Sequence, residues 1–325
     1  KTNNGMLALS PLLEPLETIV EIAHQLGKST GIITTTAITH ATPAAFMTHV
    51  KSRSNTSEIS RQIVENSNVS VLLGGGRNYF SASQISQLKM DGYHLLENRS
   101  QLISINFSNL IGLFAPNHLP YEIERNAELI PSLSEMTTKA LEILSQDPEG
   151  FFLLVEGGRI DHGGHENNKT NVALETIEFN YAVNKAISYA KLNDNILLLI
   201  TADHETGGLT VLNDTLTNYI PSPGNAPQEN KKIRIERINN ISVSWTTTGH
   251  TNKDVPLFGY KTDFYEFNNL TIIDNTDIFQ IMKSYFFITL KDDSDYLIPL
   301  LLGVVIGGSA TSILIMIYLR KKRKN

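Results

Sequence analysis

Two strand-like apolar runs in this chain each end in a group of metal-ligand side chains. Phe151 to Val155 is followed by Glu156-Gly157-Gly158-Arg159-Ile160-Asp161-His162-Gly163-Gly164-His165, and Ile196 to Thr201 by Ala202-Asp203-His204-Glu205-Thr206-Gly207-Gly208. Asp161 and His165 are four apart, so any helical turn there puts both on one face. A lone Asp-His pair at a strand end is more often a hydrogen-bonded loop feature than a ligand pair. Two such groups in one chain favour ligands, because carboxylates and imidazoles converging on one edge need cations among them. The chain has no cysteine, so thiolate sites and disulfides are excluded, and oxygen and nitrogen ligands suit Zn²⁺, Mg²⁺ or Mn²⁺. His250, within Thr246 to Thr251, is unremarkable by itself. The segment Thr39-His40-Ala41-Thr42-Pro43 places a hydroxyl and an imidazole where a helix can begin at Pro43. Arg53 lies about one short helix later; in isolation it reads as a surface cation, yet its planar donor fork matches phosphate oxygens.

The elements that must position these groups alternate helix with strand. Leu16–Gly27 has helical apolar spacing and ends at a glycine, Gly31–Thr39 is β-branched, and Val69–Leu73 runs into three glycines. Leu133–Leu144 and Ala173–Ala190 read as helices, while Phe151–Val155 and Ile196–Thr201 read as buried strands. Continuous apolar strands separated by helices define an α/β fold with a mostly parallel central sheet and helices on both faces. In such sheets functional groups collect at the carboxyl ends of the strands, where both ligand groups fall. Tyr219–Glu229 reads as a surface loop.

Composition limits the rest. The net charge is −6, and the tail Arg320 to Lys324 holds five of the 27 basic residues, leaving 22 against 33 acidic ones over residues 1–319. A body this acidic is a poor partner for nucleic acid. Tyr296–Leu319 is 24 residues without a charge, about 36 Å as a helix and enough to cross a hydrocarbon core of about 30 Å. We expect a transmembrane helix there, a basic cytoplasmic tail over 320–325, and a catalytic domain over 1–290 on the outer, lumenal or periplasmic side of a cell membrane. Eight Asn-x-Ser/Thr acceptors, Asn55 among them, fit a secretory route and glycosylation. The chain opens on Lys1 with no visible signal peptide, so its start reads as a cut end.

In order along the chain, KTNNG, GKSTGIITTTAITHATPAAF, LLGGGR, GLFA with HLPYE, PSLSEMT, FFLLVEGGRIDHGGH, TADHETGG and TTGHT resemble the alkaline phosphatase family, from Lys1 to about Tyr260. The resemblance implies hydrolysis of small phosphate monoesters through a phosphoserine intermediate, with two zinc ions and one magnesium, in a protein that is usually a homodimer. Position by position it implies that Thr42 and Glu156 are magnesium ligands, that Asp161, His165 and His250 hold one zinc, and that Asp203 and His204 hold the second. Arg53 matches the arginine that grips the substrate phosphate, His40 stands beside it, and His162 matches a position that tunes the site. An alkaline optimum is expected.

Several departures from the family pattern matter. The family's nucleophilic serine sits in an Asp-Ser-Ala/Gly segment upstream of KTNNG, and no such segment occurs in residues 1–325, so this polypeptide alone is expected to have little activity. The alternative is a catalytically inactive, membrane-anchored binding or scaffold protein that keeps the fold. Ala115 and Ile130 stand where animal members place acidic calcium ligands, so no calcium site is expected. The stretch between His204 and His250 is short for an animal-type insertion, and five terminal cations are incompatible with a GPI signal.

Overall fold

The computed structural model describes residues 2–66, 68–212, 231–260, 272–287 and 312–319. Its strands are β1 (Ser29–Ala37), β2 (Val71–Gly75), β3 (His94–Leu96), β4 (Leu110–Leu113), β5 (Gly150–Gly157), β6 (Ile196–Ala202), β7 (Glu205–Thr206), β8 (Thr210–Val211), β9 (Val243–Ser244), β10 (His250–Thr251), β11 (Phe258–Tyr260) and β12 (Ser312–Leu319). The helices are α1 (Ile19–Gln25), α2 (Ala41–Ala45), α3 (Thr56–Asn66), α4 (Ala82–Met90), α5 (Arg99–Ser104), α6 (Leu133–Leu144), α7 (Arg159–His165), α8 (Lys169–Leu192), α9 (Lys231–Asn239) and α10 (Asn275–Phe286).

Eight strands form one sheet in the order β11-β6-β12-β5-β1-β2-β4-β3. The ladders β5–β1, β1–β2, β2–β4 and β4–β3 are parallel. Burial explains the continuous apolar runs: every residue of β2 and β5, and all but the first of β1, is buried. Alternate side chains serve two cores. Ile32, Leu72, Phe152, Leu154 and Leu197 pack with α1, α3 and α10, whereas Ile33, Val71, Phe151, Leu153 and Leu198 pack with α6 and α8. A sheet covered on both faces has no polar face to show, so period-two alternation is absent from these strands. Helix starts are written in the sequence too: Thr18 with Glu21, and Ser132 with Glu135, complete capping boxes at α1 and α6.

One expected segment is met by a different element over its described part. Residues 312–319, the last third of the expected membrane helix, form β12, which lies between β5 and β6 and is antiparallel to both. Its side chains alternate between the two cores, Ile313, Ile315 and Ile317 in one, Leu314 and Met316 in the other. An uncharged apolar run satisfies a central sheet position as well as it satisfies lipid, and hydropathy alone does not separate the two. Residues 296–311 lie outside the described residues, as do Tyr219–Glu229. Among the described residues no helix is long and apolar enough to cross a membrane.

The helix α8 buries two carboxyls, one against the loop before α6 and one against the first turn of α6. Glu175 accepts the Glu122 N–H at 2.6 Å, and Glu178 accepts the Ser134 N–H at 3.1 Å. Burial, outweighing the Glu122 amide, and then the neighbouring Glu122 and Glu178, push the Glu175 carboxyl up to about 7. A carboxyl whose folded pKa is raised costs stability once it ionises, so the cost is absent below the unfolded value near 4.5 and complete above about 7. Glu175→Gln is therefore expected to raise the melting temperature at pH 8, by up to about 3 kcal/mol in stability, with the gain fading between pH 7 and 4.5. A gain of equal size at pH 4.5 and pH 8 would show that ionisation is not its source.

Candidate metal centre and phosphate grip

The carboxyl ends of β1, β5 and β6 form one rim of the sheet, and the polar segments noted in the sequence all leave from it. α7 follows β5 directly and its single turn stacks Asp161 and His165, the i and i+4 pair. The third member comes from far along the chain. β10 pairs antiparallel with β7, setting His250 opposite Thr206, and this two-residue ladder delivers the imidazole. The connecting turn needs glycine at position 207, where φ is +90° and a Cβ would lie 2.7 Å from the Trp245 ring.

Asp161 Oδ1, His165 Nε2 and His250 Nε2 form a triangle with edges of 3.4, 3.6 and 3.1 Å. Ligand atoms about 2.0–2.1 Å from a tetrahedral zinc stand about 3.3 Å apart, so the triangle has the size of one face of such a site. The hydrogen bonds around it point the same way. His165 Nδ1 lies 2.5 Å from the Thr248 carbonyl, to which only an N–H can donate, so Nε2 is the nitrogen turned to the triangle. Asp161 Oδ1 already accepts the Thr206 hydroxyl at 2.5 Å. Because that hydroxyl proton is spent on Asp161, His204 Nδ1, 3.2 Å from Thr206 Oγ, is the donor of its pair. His204 Nε2 is then the nitrogen turned to Asp203, 3.2 Å from its Oδ2. In both places imidazole nitrogen and carboxylate oxygen converge, an arrangement that a shared proton or a cation satisfies. Burial draws the His204 imidazole down, but Asp203 outweighs it and the net shift is upward. His250, stacked on His204 at 3.6 Å, is held down by burial and by that neighbour.

Glu156 forms a third group. It is 1 % exposed, and its Oε2 accepts hydroxyls from Thr34 and Thr36. Thr42, in α2, lies near enough to lower its pKa, yet burial dominates and, with Asp203 adding, lifts the carboxyl to about 7. Its Oε1 is buried without a hydrogen-bond partner. A buried carboxylate oxygen left over among hydroxyls is the donor set of a hard cation such as Mg²⁺.

Arg53 lies beside this edge. Its N–H donates to the Gly5 carbonyl at 2.7 Å, and its guanidinium donates to His40 Nε2 at 3.3 Å. The charge of Arg53 helps hold His40 down and works against the upward shift of His204. Burial first, and then neighbouring guanidinium groups and imidazoles, hold His40 and His162 at about 3. Each of the ten site residues named from the sequence is thus at this rim.

Other functional residues were not singled out from the sequence. Thr34 and Thr36 hold Glu156, and their only signal is a threonine-rich strand ending at the rim. Thr206 orders both zinc-type groups at once. His118 belongs to the HLPYE motif but carried no assigned role; its Nδ1 accepts the Ala37 N–H at 3.0 Å. Conversely Glu205, inside the Asp-His-Glu triplet, is a turn-former that accepts from Thr251, Gly208 and Leu209.

Sheet and rim together define an α/β protein with sites for divalent cations beside a cationic anion grip. The alkaline phosphatase family profile matches residues 1–234. Alkaline phosphatase 3 of Bacillus subtilis is 32% identical over 336 residues, covering 86% of this chain and 72% of the relative. The human tissue-nonspecific isozyme is 32% identical over 280 residues, and the chain spans 53% of it. A cold-active alkaline phosphatase from Shewanella sp. superposes with a TM-score of 0.74 at 32% identity, covering 88% of this chain and 82% of that one. Histidine variants of the alkaline phosphatase from the Antarctic bacterium TAB5, solved with magnesium bound in their M3 site, superpose with a TM-score of 0.71 at 28% identity. The chain belongs to the alkaline phosphatase family.

Proposed function

We propose that this rim binds and activates small phosphate monoesters for metal-dependent hydrolysis. The reading rests on the two places where imidazole nitrogen and carboxylate oxygen converge at ligand-to-ligand distance, around Asp161 and around Asp203. Asp161, His165 and His250 would hold one zinc, Asp203 and His204 the second, and Glu156 with Thr42 the magnesium. When bound, these ions supply Lewis-acid charge against phosphoryl oxygens and make a hydroxyl nucleophilic near neutral pH. The chain's own residues do the rest. Arg53 presents a bidentate fork to the equatorial oxygens with His40 alongside. Thr206 keeps Asp161 and His204 in their ligating states, and His162, pinned by Arg159 at 2.8 Å, stays neutral at the edge of the site. Metal loading requires loss of the Glu156 proton, so it strengthens as pH rises through about 7, in line with work at alkaline pH.

Residues 1–325 contain no Asp-Ser-Ala or Asp-Ser-Gly segment, so the test reads binding, not turnover. After loading and exhaustive dialysis with inorganic phosphate, metal analysis is expected to find about two zinc and one magnesium per chain, and phosphate retention only in the loaded protein. A chain that keeps no zinc would refute the proposal.

Location is a separate proposal. Twenty-four uncharged residues followed by five cations support a tether that leaves residues 1–290 on the outer or lumenal face. Such a tether and β12 compete for the same eight residues. The full chain is expected to stay in the pellet after alkaline carbonate extraction of membranes; complete release would eliminate the tether.

A further inference from the structure

Among the described residues, three buried side-chain atoms lack a hydrogen-bond partner: Glu156 Oε1, His40 Nδ1 and Arg159 Nε. The first is an acceptor and belongs with the cation site. The other two belong to one cluster, in which Arg159 borders His40, His118 and His162, whose ring centroids lie 5.3, 5.3 and 4.6 Å apart.

Each imidazole in this cluster is held in one tautomer from outside. Arginine only donates, so His40 Nε2, contacting Arg53 at 3.3 Å, and His162 Nδ1, contacting Arg159 at 2.8 Å, are acceptors. His118 Nδ1 accepts the Ala37 backbone N–H at 3.0 Å. Every ring is therefore neutral with its remaining nitrogen protonated, which leaves His40 Nδ1–H, His118 Nε2–H and His162 Nε2–H as donors. A set of three protonated nitrogens cannot ligate a metal without surrendering these bonds. It suits an anion, as do the two flanking guanidinium groups. Arg159 is kept in place by stacking over Tyr121, 3.6 Å from the ring centroid, and by its N–H bond to Thr35 Oγ at 3.1 Å.

We propose that His118, together with His40, His162 and Arg159, forms a second oxyanion subsite beside Arg53. Phosphate monoesters carrying another carboxylate or phosphate group close to the scissile phosphate are then preferred over singly anionic esters. The inference rests on the phosphate-binding role of Arg53 and adds to it the class of substrate.

The test uses the full chain loaded with zinc and magnesium and two ligands that are not hydrolysed, methylphosphonate with one anionic group and phosphonoacetate with two. Phosphonoacetate is expected to bind about 10-fold more tightly, the worth of a hydrogen bond to a charged group. His118→Asn keeps an acceptor for the Ala37 N–H while deleting the distal donor. It is expected to abolish the preference while leaving methylphosphonate affinity and melting temperature unchanged. A preference retained in the variant would assign it to the metals or Arg53 and overturn the subsite, as would no preference in the parent chain. If the parent chain binds neither ligand, the phosphate-binding reading fails first and the subsite falls with it.

Discussion

Asp161→Asn is expected to weaken zinc binding at the Asp161–His165–His250 triangle by more than about 100-fold, because loss of an outer partner alone costs 10–100-fold and this change removes a charged ligand. Asparagine preserves size and can still accept the Thr206 hydroxyl, so the fold and the Thr206–His204 contact are retained. What disappears is the negative charge on the oxygen 3.4 Å from His165 Nε2 and 3.6 Å from His250 Nε2. Titration of metal-free protein with zinc against a competing chelator measures the change. Thr206→Val gives a graded comparison: it leaves all five zinc-type ligands in place but removes the group that fixes two of them, so a loss of about 10- to 100-fold is expected. If Asp161→Asn binds zinc as the parent does, the triangle is only a hydrogen-bonded cluster.

Arg53→Ala is expected to raise the dissociation constant for inorganic phosphate by about 100-fold in the metal-loaded chain, within the range for removing a donor that meets developing negative charge. Arg53→Lys should recover part of this, since a point charge replaces the fork without its bidentate geometry. The effect should be confined to phosphate, because the Arg53 guanidinium hydrogen-bonds His40, which is not one of the zinc-type ligands. Calorimetric titration of phosphate into both variants decides the matter. Unchanged phosphate affinity in Arg53→Ala would place the anion elsewhere on the rim.

Much of this site was legible because its parts are local. Asp161 and His165 lie on one turn, and both ligand groups directly follow apolar runs that could only be buried strands. The motif order extended that reading to Thr42, Arg53 and His250, whose individual residue types say nothing. Thr34, Thr36, Thr206 and His118 were not legible, because a threonine or histidine acquires its role from which groups face it, and those come from up to 122 residues away. Residues 312–319 were ambiguous for a different reason. The centre of a doubly covered sheet and the interior of a bilayer ask for the same side chains.

The amino-acid sequence by itself determined which residue types could ligate, that no thiolate takes part, and that a mostly parallel sheet would carry the ligands on its strand ends. Periodicity and composition are local properties that survive without coordinates. Only the tertiary structure decided that a two-residue ladder brings His250 to α7, which nitrogen of His165 is turned to the triangle, and that Glu156 Oε1, His40 Nδ1 and Arg159 Nε are left without partners. Those facts depend on hydrogen-bond donors and acceptors meeting across strands distant in sequence, and no spacing along one chain encodes such meetings.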